Sequence, residues 1–492
     1  MEGLMEKLPM NKKKATLLKT WKRRFFRASD GWLHYFETGS RDKPSDSLQL
    51  MGGRVDDLGN RILGIDDGRG RYLMVRCPTD KEYGQWKLAL ESQTADNVKA
   101  TYVRPALTLP QHPNKSIVII DIGCSAIRAG ILGEQASLPK LFFPSTVARN
   151  KTTSELVTGI EAYTPEIRHQ SELRKPVYPT EKVDKFGIDV ETIDVVFKKI
   201  FSELGIDSTK FWVMISTPQN LGDKVRAGLM KILVDQFHVK GVCMSMQALL
   251  ALYSYNATSG IIVDIGERME ILPIYDGYVI EGGVSRQSYG GQKVAESLKH
   301  SLEKYKFSTP IQQLLVRYVM EQSCYVTSDY KDTLKKCEED PDNYKTMVSL
   351  SNYDLPEGAD ITVTHDYSCF KSPEGFFNTD LWGMDYPCVH KLVFKAIQSC
   401  PMDGRKRMYR AVYLSGGVTL LPGFAERLQL ELSKLAPPSV MVEVHSSPNR
   451  YHSAYIGACS LANMEQFQQI CISSEEWKKD GVKAFKKWNM TS

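Results

Sequence analysis

The sequence predicts an α/β chain of two related, facing halves, preceded by a small β-barrel capped by one helix. Three observations carry this. Two apolar strands, Ile117-Val118-Ile119-Ile120 and Gly260-Ile261-Ile262-Val263, each run into Asp-Ile-Gly, at Asp121 and Asp264. Strands alternate with helical stretches such as Glu191–Leu204, Lys224–Phe237 and Gly423–Leu435. The amino-terminal residues hold short aromatic strands and one amphipathic helix, set apart by a polar, proline-containing stretch.

In the small module, Arg24-Phe25-Phe26, a turn at Ser29-Asp30-Gly31, and Trp32-Leu33-His34-Tyr35-Phe36 form a hairpin signal with aromatic strand formers on both sides. Short strands follow at Arg61–Ile65 and Tyr72–Val75. Tyr83, Trp86 and Leu90 then fall at helical spacing. The run from Gln93 to Lys115 carries Pro105, Pro110 and Pro113 and has no helical period. The expected division is a module at 1–95, a linker at 96–115 and a large domain at 116–490.

Composition narrows the function. At 492 residues, with 42% hydrophobic and 25% charged side chains, the chain is long enough for several cores and too apolar for bulk disorder. Its ten cysteines are scattered without a CxxC, so reduced thiols in a cytosolic or nuclear protein are expected, with no metal-ligand spacing. The first residues lack the apolar core of a signal peptide, and Glu2 after Met1 excludes a myristoylation signal. No apolar run reaches the length of about 18 residues that suggests a membrane span, so membrane contact is expected to be peripheral. The net charge of +5 is unevenly spread. Lys7, Lys12, Lys13, Lys14, Lys19, Lys22, Arg23, Arg24 and Arg27 face only Glu2 and Glu6 within residues 1–27. That asymmetry points to one anionic partner at one end, not to nucleic acid along the whole surface.

A strand ending in Asp and a tight glycine turn brings a carboxylate and free backbone N–H groups to one point. The amides can cradle phosphate and the carboxylate can hold hydrated Mg²⁺. One such turn is a common β-turn; two at equivalent strand ends, joined by Leu414-Ser415-Gly416-Gly417, suit a nucleotide between two lobes.

At these residues the sequence resembles the actin family. Asp121–Gly130 with Phe143-Pro144-Ser145 is similar to actin's first phosphate loop. Gln247–Tyr253, Gly260–Gly266, Pro273–Tyr278, Cys324-Tyr325-Val326, Tyr353–Gly358, Leu414–Gly417, Leu421-Pro422-Gly423 and Tyr455-Ile456-Gly457 continue the likeness in order. The resemblance implies the two-lobed ATPase fold that actin shares with Hsp70, an ATP or ADP cleft with Mg²⁺, and cytoskeletal or chromatin-complex partners. It assigns Asp121 and Asp264 to Mg²⁺ through water and Gln247 to orienting the attacking water. Gly123, Cys124, Ser125, Arg128, Gly266, Arg268, Gly291, Glu321, Gly416 and Gly417 fall at its nucleotide-lining positions.

Departures from the family pattern concentrate in the cleft. Cys124 stands for a serine, Arg128 for a phosphate-binding lysine, Ile271 for a histidine near the hydrolytic water, and Met320 and Tyr451 for two lysines near adenosine. Arg268 replaces a glycine; it either hydrogen-bonds phosphates or fills their space. Hydrolysis is largely positioning and charge stabilisation, so losing several such groups is expected to slow it severely. Asn150–Thr158 is shorter than actin's matching loop, which grips the next subunit, so long homopolymers are not expected.

Residues 1–95 resemble a pleckstrin homology (PH) domain, through Gly3–Lys7, Trp21-Lys22-Arg23-Arg24-Phe25-Phe26 and Trp86. Lys7 followed by Lys22-x-Arg24 matches the basic pattern of phosphoinositide-binding members, and Lys12, Lys13 and Lys14 add charge on the loop. Each basic residue near an anionic leaflet is worth about 1 kcal/mol. The bland alternative is a solvated basic hairpin on a protein-binding module. The tail holding Trp477, Phe485 and Trp488 among lysines is expected to pack on the first subdomain. The reading that follows is a membrane-recruited, non-hydrolysing actin-related protein, cytoplasmic and cytoskeleton-associated, that partners actin or cytoskeletal regulators. Its alternatives are an ATP-dependent switch with weak ATPase activity and a nuclear chromatin-complex subunit.

Overall fold

The computed structural model describes residues 1–12, 20–29, 32–37, 44–50, 53–67, 71–94, 116–133, 138–182, 186–218, 221–302, 310–349, 362–365 and 367–489. They form two compact units, Met1–Pro105 and Ala106–Ser492. The expected linker at 96–115, Lys13 and Lys14 on the basic loop, the turn residues Asp30 and Gly31, and Tyr353–Gly358 lie outside the described residues.

In the first unit, β1 (Glu2–Lys7), β2 (Lys22–Ser29), β3 (Trp32–Phe36), β4 (Asp46–Gln49), β5 (Arg54–Asp57), β6 (Ile62–Asp66) and β7 (Tyr72–Arg76) build a seven-stranded antiparallel sheet. Its order is β4-β3-β2-β1-β7-β6-β5. The aromatic hairpin has Phe25 opposite Phe36 and Phe26 opposite Tyr35. Alternation sends Met5, Phe26, Leu33, Leu63, Ile65, Leu73 and Val75 into one core. Helix α1 (Asp80–Thr94) caps that core. Thr79 starts it by accepting the Glu82 N–H at 3.2 Å, with its hydroxyl returned to the Glu82 carboxylate. Trp86 and Leu90 are fully buried. The indole of Trp86 lies against Gly3, where an added Cβ would stand 3.5 Å from the ring.

Two large sheets organise the second unit, with smaller ones beside them. In the first, the strands run Leu141–Pro144, Ala126–Ile131, Ile117–Ile122, Trp212–Thr217, Gly241–Met246 and Ile472–Ser473. In the second they run Tyr278–Val279, Met269–Tyr275, Gly260–Ile265, Val412–Ser415 and Val444–His445, with Ser285–Gln287 beside Met269–Tyr275. Each large sheet repeats one plan. The strand ending in Asp pairs antiparallel with the strand after it and parallel with a later one. Helices cover the sheets, which is why the strand Ile117–Ile122 is buried along its whole length. The helices Gln247–Ser254 and Ser453–Ala462 pack closely. Gly457 permits this, because a Cβ there would fall 1.7 Å from the Leu250 carbonyl oxygen.

Helix ends follow local chemistry. Val190–Leu204 starts at Asp189, whose carboxylate accepts the Glu191 N–H, and stops at Gly205 with φ 65°. The helix expected over Lys224–Phe237 divides into an α-helix, Asp223–Met230, and a π-helical stretch, Lys231–Gln236. Apolar spacing alone does not register such a widened turn. Trp477, Phe485 and Trp488 stack at 5.7 and 5.2 Å and complete the first lobe's core, as expected for the tail.

The segment Asn150–Thr158, expected to be a shortened loop, lies in a closed hairpin. Val147–Asn150 pairs antiparallel with Leu156–Thr158 and with Ser171–Arg174. The Asn150 side chain accepts the N–H groups of Thr152 at 2.8 Å and Thr153 at 3.0 Å, turning the chain within a few residues. No helix among the described residues is long and apolar enough to cross a membrane. All ten cysteines are free thiols.

Candidate functional site

The two Asp-Ile-Gly turns inherit their surroundings from strand register. Asp121 has Ser216 as its parallel neighbour and Arg128 as its antiparallel neighbour. Asp264 has Ser415 on the parallel side and Glu270 on the antiparallel side. A serine therefore supports each aspartate, but the opposing charge differs between the lobes. Sequence reading missed Ser216 and took Ser415 only as part of a glycine turn. Their signal was a second set of apolar strands, Val213–Ile215 and Val412–Leu414, each ending in Ser.

Both carboxylate oxygens of Asp121 have partners within the protein. Ser216 and the Gln247 amide, at 2.8 Å, donate to its Oδ1, and Arg128 donates to its Oδ2 at 2.9 Å. Gln247 also donates to the Ile122 carbonyl at 3.2 Å. Arg128 is 7% exposed and spends its remaining donors inward: Nε on His452 Nδ1 and Nη2 on the Tyr451 carbonyl, both at 2.9 Å. Its guanidinium also lies 4.6 Å from the Tyr451 ring centroid and 5.2 Å from that of Phe142. Arg128, expected to line the nucleotide, thus serves as an internal tie.

Asp264 carries the opposite balance. Burial pushes its carboxyl above the usual range, the hydrogen bond from Ser415 opposes this, and the charge of Asp121 adds to it. Burial likewise lifts Glu270 up to about 7 against the pull of Arg286, which binds it at 2.9 Å. A cation between the lobes would reverse the repulsion at Asp264.

The glycine turns lock against one another. Gly416 has φ 85°, and a Cβ there would meet the Ile265 carbonyl oxygen at 2.3 Å. Gly291 donates its N–H to the Gly266 carbonyl at 2.8 Å, and Gly290 abuts Glu267. Gly417 backs onto the Tyr451 ring. Gly266, by contrast, has no atom within 4 Å of where a Cβ would sit. At the first turn, Gly123 bonds to the Ala126 carbonyl, and Ser125 accepts the N–H of Ser145, whose buried hydroxyl has no hydrogen-bond partner. These open and unpaired groups fit a phosphate-bearing ligand. Asp121 and Gln247 are bound to each other at 2.8 Å.

Other expected cleft residues are placed as follows. Cys124 is half-buried, and burial with Glu267 nearby pushes its thiol up to about 12, which is the character of an inert thiol. Arg268 turns to the carbonyls of Lys182, at 2.9 Å, and Thr180, and covers the Phe186 ring at 5.4 Å. Glu321 is exposed and bound by Arg317 of its own helix at 2.8 Å.

In the first unit, β1 and β2 set Lys7 directly opposite Lys22 and Met5 opposite Arg24. The Lys7 ammonium lies 4.3 Å from the Tyr35 ring centroid. Burial, then Arg24, pulls Lys7 below its usual range; Asp46 opposes and Lys22 and Arg71 add. Asp46 is shared with Arg71 and with the Tyr35 hydroxyl. Arg24 reaches Glu37 at 3.3 Å, and Lys12 is exposed on the connection after β1. Tyr35, Asp46 and Arg71 were not expected, because only the β-ladder brings them beside Lys7.

The family match falls on the second unit. A profile described as actin matches residues 112–488. The chain is similar to centractin of Schizosaccharomyces pombe, with 29% identity over 372 residues covering 74% of this chain and 95% of that relative. The matched span includes both large sheets and both Asp-Ile-Gly turns, and the chain belongs to the actin family.

Proposed function

We propose that this protein is a membrane-recruited actin-related protein that regulates or scaffolds the cytoskeleton, holds nucleotide without hydrolysing it, and docks through phosphoinositide at a PH-type amino-terminal domain. The observation that carries the reading is the cluster of Lys7, Lys22 and Arg24, with Lys7 held against Tyr35 beside like charges, Asp46 shared with Arg71, and Glu37 paired to Arg24 at the edge. Such a cluster is relieved by a polyanion, and a phosphorylated inositol ring is one. The seven strands and the capping helix with buried Trp86 support the PH resemblance.

The actin family generally takes ATP or ADP with Mg²⁺. Here the backbone around Gly123, Ser125, Gly266, Gly291, Gly416 and Gly417 would hold phosphate, and Asp121 and Asp264 would face hydrated Mg²⁺. The metal would supply neutralisation of phosphate charge. Gln247 binds Asp121 and the Ile122 carbonyl, which supports loss of turnover. Likeness to centractin supports cytoskeletal partners in the cytoplasm.

The test is co-sedimentation of the full chain with phosphatidylcholine vesicles with or without phosphoinositide. Binding is expected only with phosphoinositide, and Lys22→Ala with Arg24→Ala is expected to weaken it at least about tenfold. Equal binding by that variant removes the membrane half. Phosphate release from ATP is expected at background. Release that disappears in Gln247→Ala would establish the second reading, an ATP-dependent switch, which the assembled glycine turns favour.

A further inference from the structure

The turn Gly266-Glu267-Arg268 belongs to the second lobe. Its flanking Ile265 and Met269 are in that lobe's core, its backbone closes on itself from the Gly266 N–H to the Arg268 carbonyl at 3.1 Å, and Gly291 pins it from behind. Both of its side chains leave that lobe. Glu267 pairs with Lys175 at 3.1 Å. Arg268 donates to the carbonyls of Thr180 and Lys182 and covers Phe186. Lys175, Thr180, Lys182 and Phe186 flank or belong to the strand pair Val177–Pro179 and Phe186–Ile188, and Val177 and Ile188 are in the first lobe's core. Cys124, in the first lobe's glycine turn, faces the charges of Glu267, Lys175 and Arg268, so these contacts sit where the two turns meet.

We infer that Glu267 and Arg268 form a latch that holds the two lobes together at the phosphate end of the cleft, so that closure is supplied by the chain and not by nucleotide. Two features favour a latch over incidental contact. The arms spring from a turn fixed by backbone bonds, so opening the lobes cannot be absorbed by the turn. The contacts also differ in kind: one ion pair, two hydrogen bonds from a cation to backbone carbonyls, and one ring contact, all lost together on separation. Arginine is suited to this double role, because its planar fork binds two carbonyls while its face covers a ring. The inference does not depend on membrane docking.

Amide exchange followed by mass spectrometry on the full chain tests it. In the wild type, the peptide covering 175–182 is expected to exchange at the same rate with and without ATP and Mg²⁺, and the peptide covering 262–270 to be protected already without them. Arg268→Gln with Lys175→Ala is expected to speed exchange in both segments roughly tenfold without nucleotide, the order expected for losing charge-assisted bonds. Peptides from the first lobe's core, such as 190–204, should keep their rates, which separates opening from unfolding. The charge swap Lys175→Glu with Glu267→Lys should restore protection relative to Lys175→Glu alone. Unchanged exchange in the double variant overturns the latch. So does a wild-type protein in which these segments are protected only when ATP and Mg²⁺ are added.

Discussion

An arginine grips with a planar fork where a lysine offers a point charge, and Arg128 uses that fork to tie Asp121, His452 and the Tyr451 carbonyl into one buried knot. Removing the cation leaves Asp121 buried and uncompensated, so Arg128→Met is expected to cost about 3 kcal/mol or more, read as a lower urea midpoint at unchanged slope. Arg128→Lys should recover only part of that loss, since one ammonium cannot meet all these acceptors. His390 offers a pH test. Its ring stacks on Phe377 at 6.2 Å, its Nδ1 has no hydrogen-bond partner, and burial pushes the imidazole from 6.5 down to about 4. Glu431 opposes that shift, whereas Lys391, Arg427 and Lys434 reinforce it. The folded protein prefers the neutral ring, so its contribution is complete above pH 6.5 and is lost as the pH falls toward about 4. Raised carboxyls such as Glu270 act in the opposite sense, losing stability as pH rises toward about 7. The informative measurement is therefore the difference between wild type and His390→Phe, whose melting temperature should fall less steeply below pH 6.5.

At the scale of elements, the glycine turns constrain each other more tightly than any one of them constrains itself. Gly416→Ala would place a methyl group in contact with the Ile265 carbonyl at a backbone angle that disfavours side chains. The expected loss is about 2 kcal/mol or more by thermal unfolding, combining left-handed strain with steric overlap. These turns were legible in the sequence because each is local: an apolar strand, an Asp, a Gly. What the Asp then binds was not legible. Ser216 lies 95 residues from Asp121, and His452 lies 324 residues from Arg128. No window along the chain joins them; only the register of parallel strands and the docking of the last helices do. Boundaries failed for similar reasons. The helix expected from Gly423 begins at Phe424, because Gly423 takes φ 79° where a Cβ would strike the Val326 carbonyl. The basic hairpin was legible as charge, but its restraint by Tyr35, Asp46 and Arg71 came from strands brought together by the ladder.

Across the whole molecule, the same strand plan appears twice with unequal charge: Arg128 opposes Asp121 in one lobe, and Glu270 opposes Asp264 in the other. The duplicated plan explains why the fold could be anticipated from two short motifs, while the unequal charges mark where chemistry has been retuned. Binding through a basic face also carries a whole-molecule signature. Vesicle affinity should drop steeply as salt rises above about 0.15 M, since exposed charges beyond a Debye length of about 8 Å are screened. Affinity insensitive to salt would point to apolar insertion instead.

The hairpin closed by Asn150 bears on how many copies an assembly can hold. The segment is tied back by its own asparagine, and on the reading proposed above it offers no arm for a following subunit. One molecule per assembly, seated at a terminus, is the expected count, and stepwise photobleaching of the labelled full chain on individual filaments would read it directly. Repeated occupancy along a filament's length would mean that some other surface has taken over the arm's work.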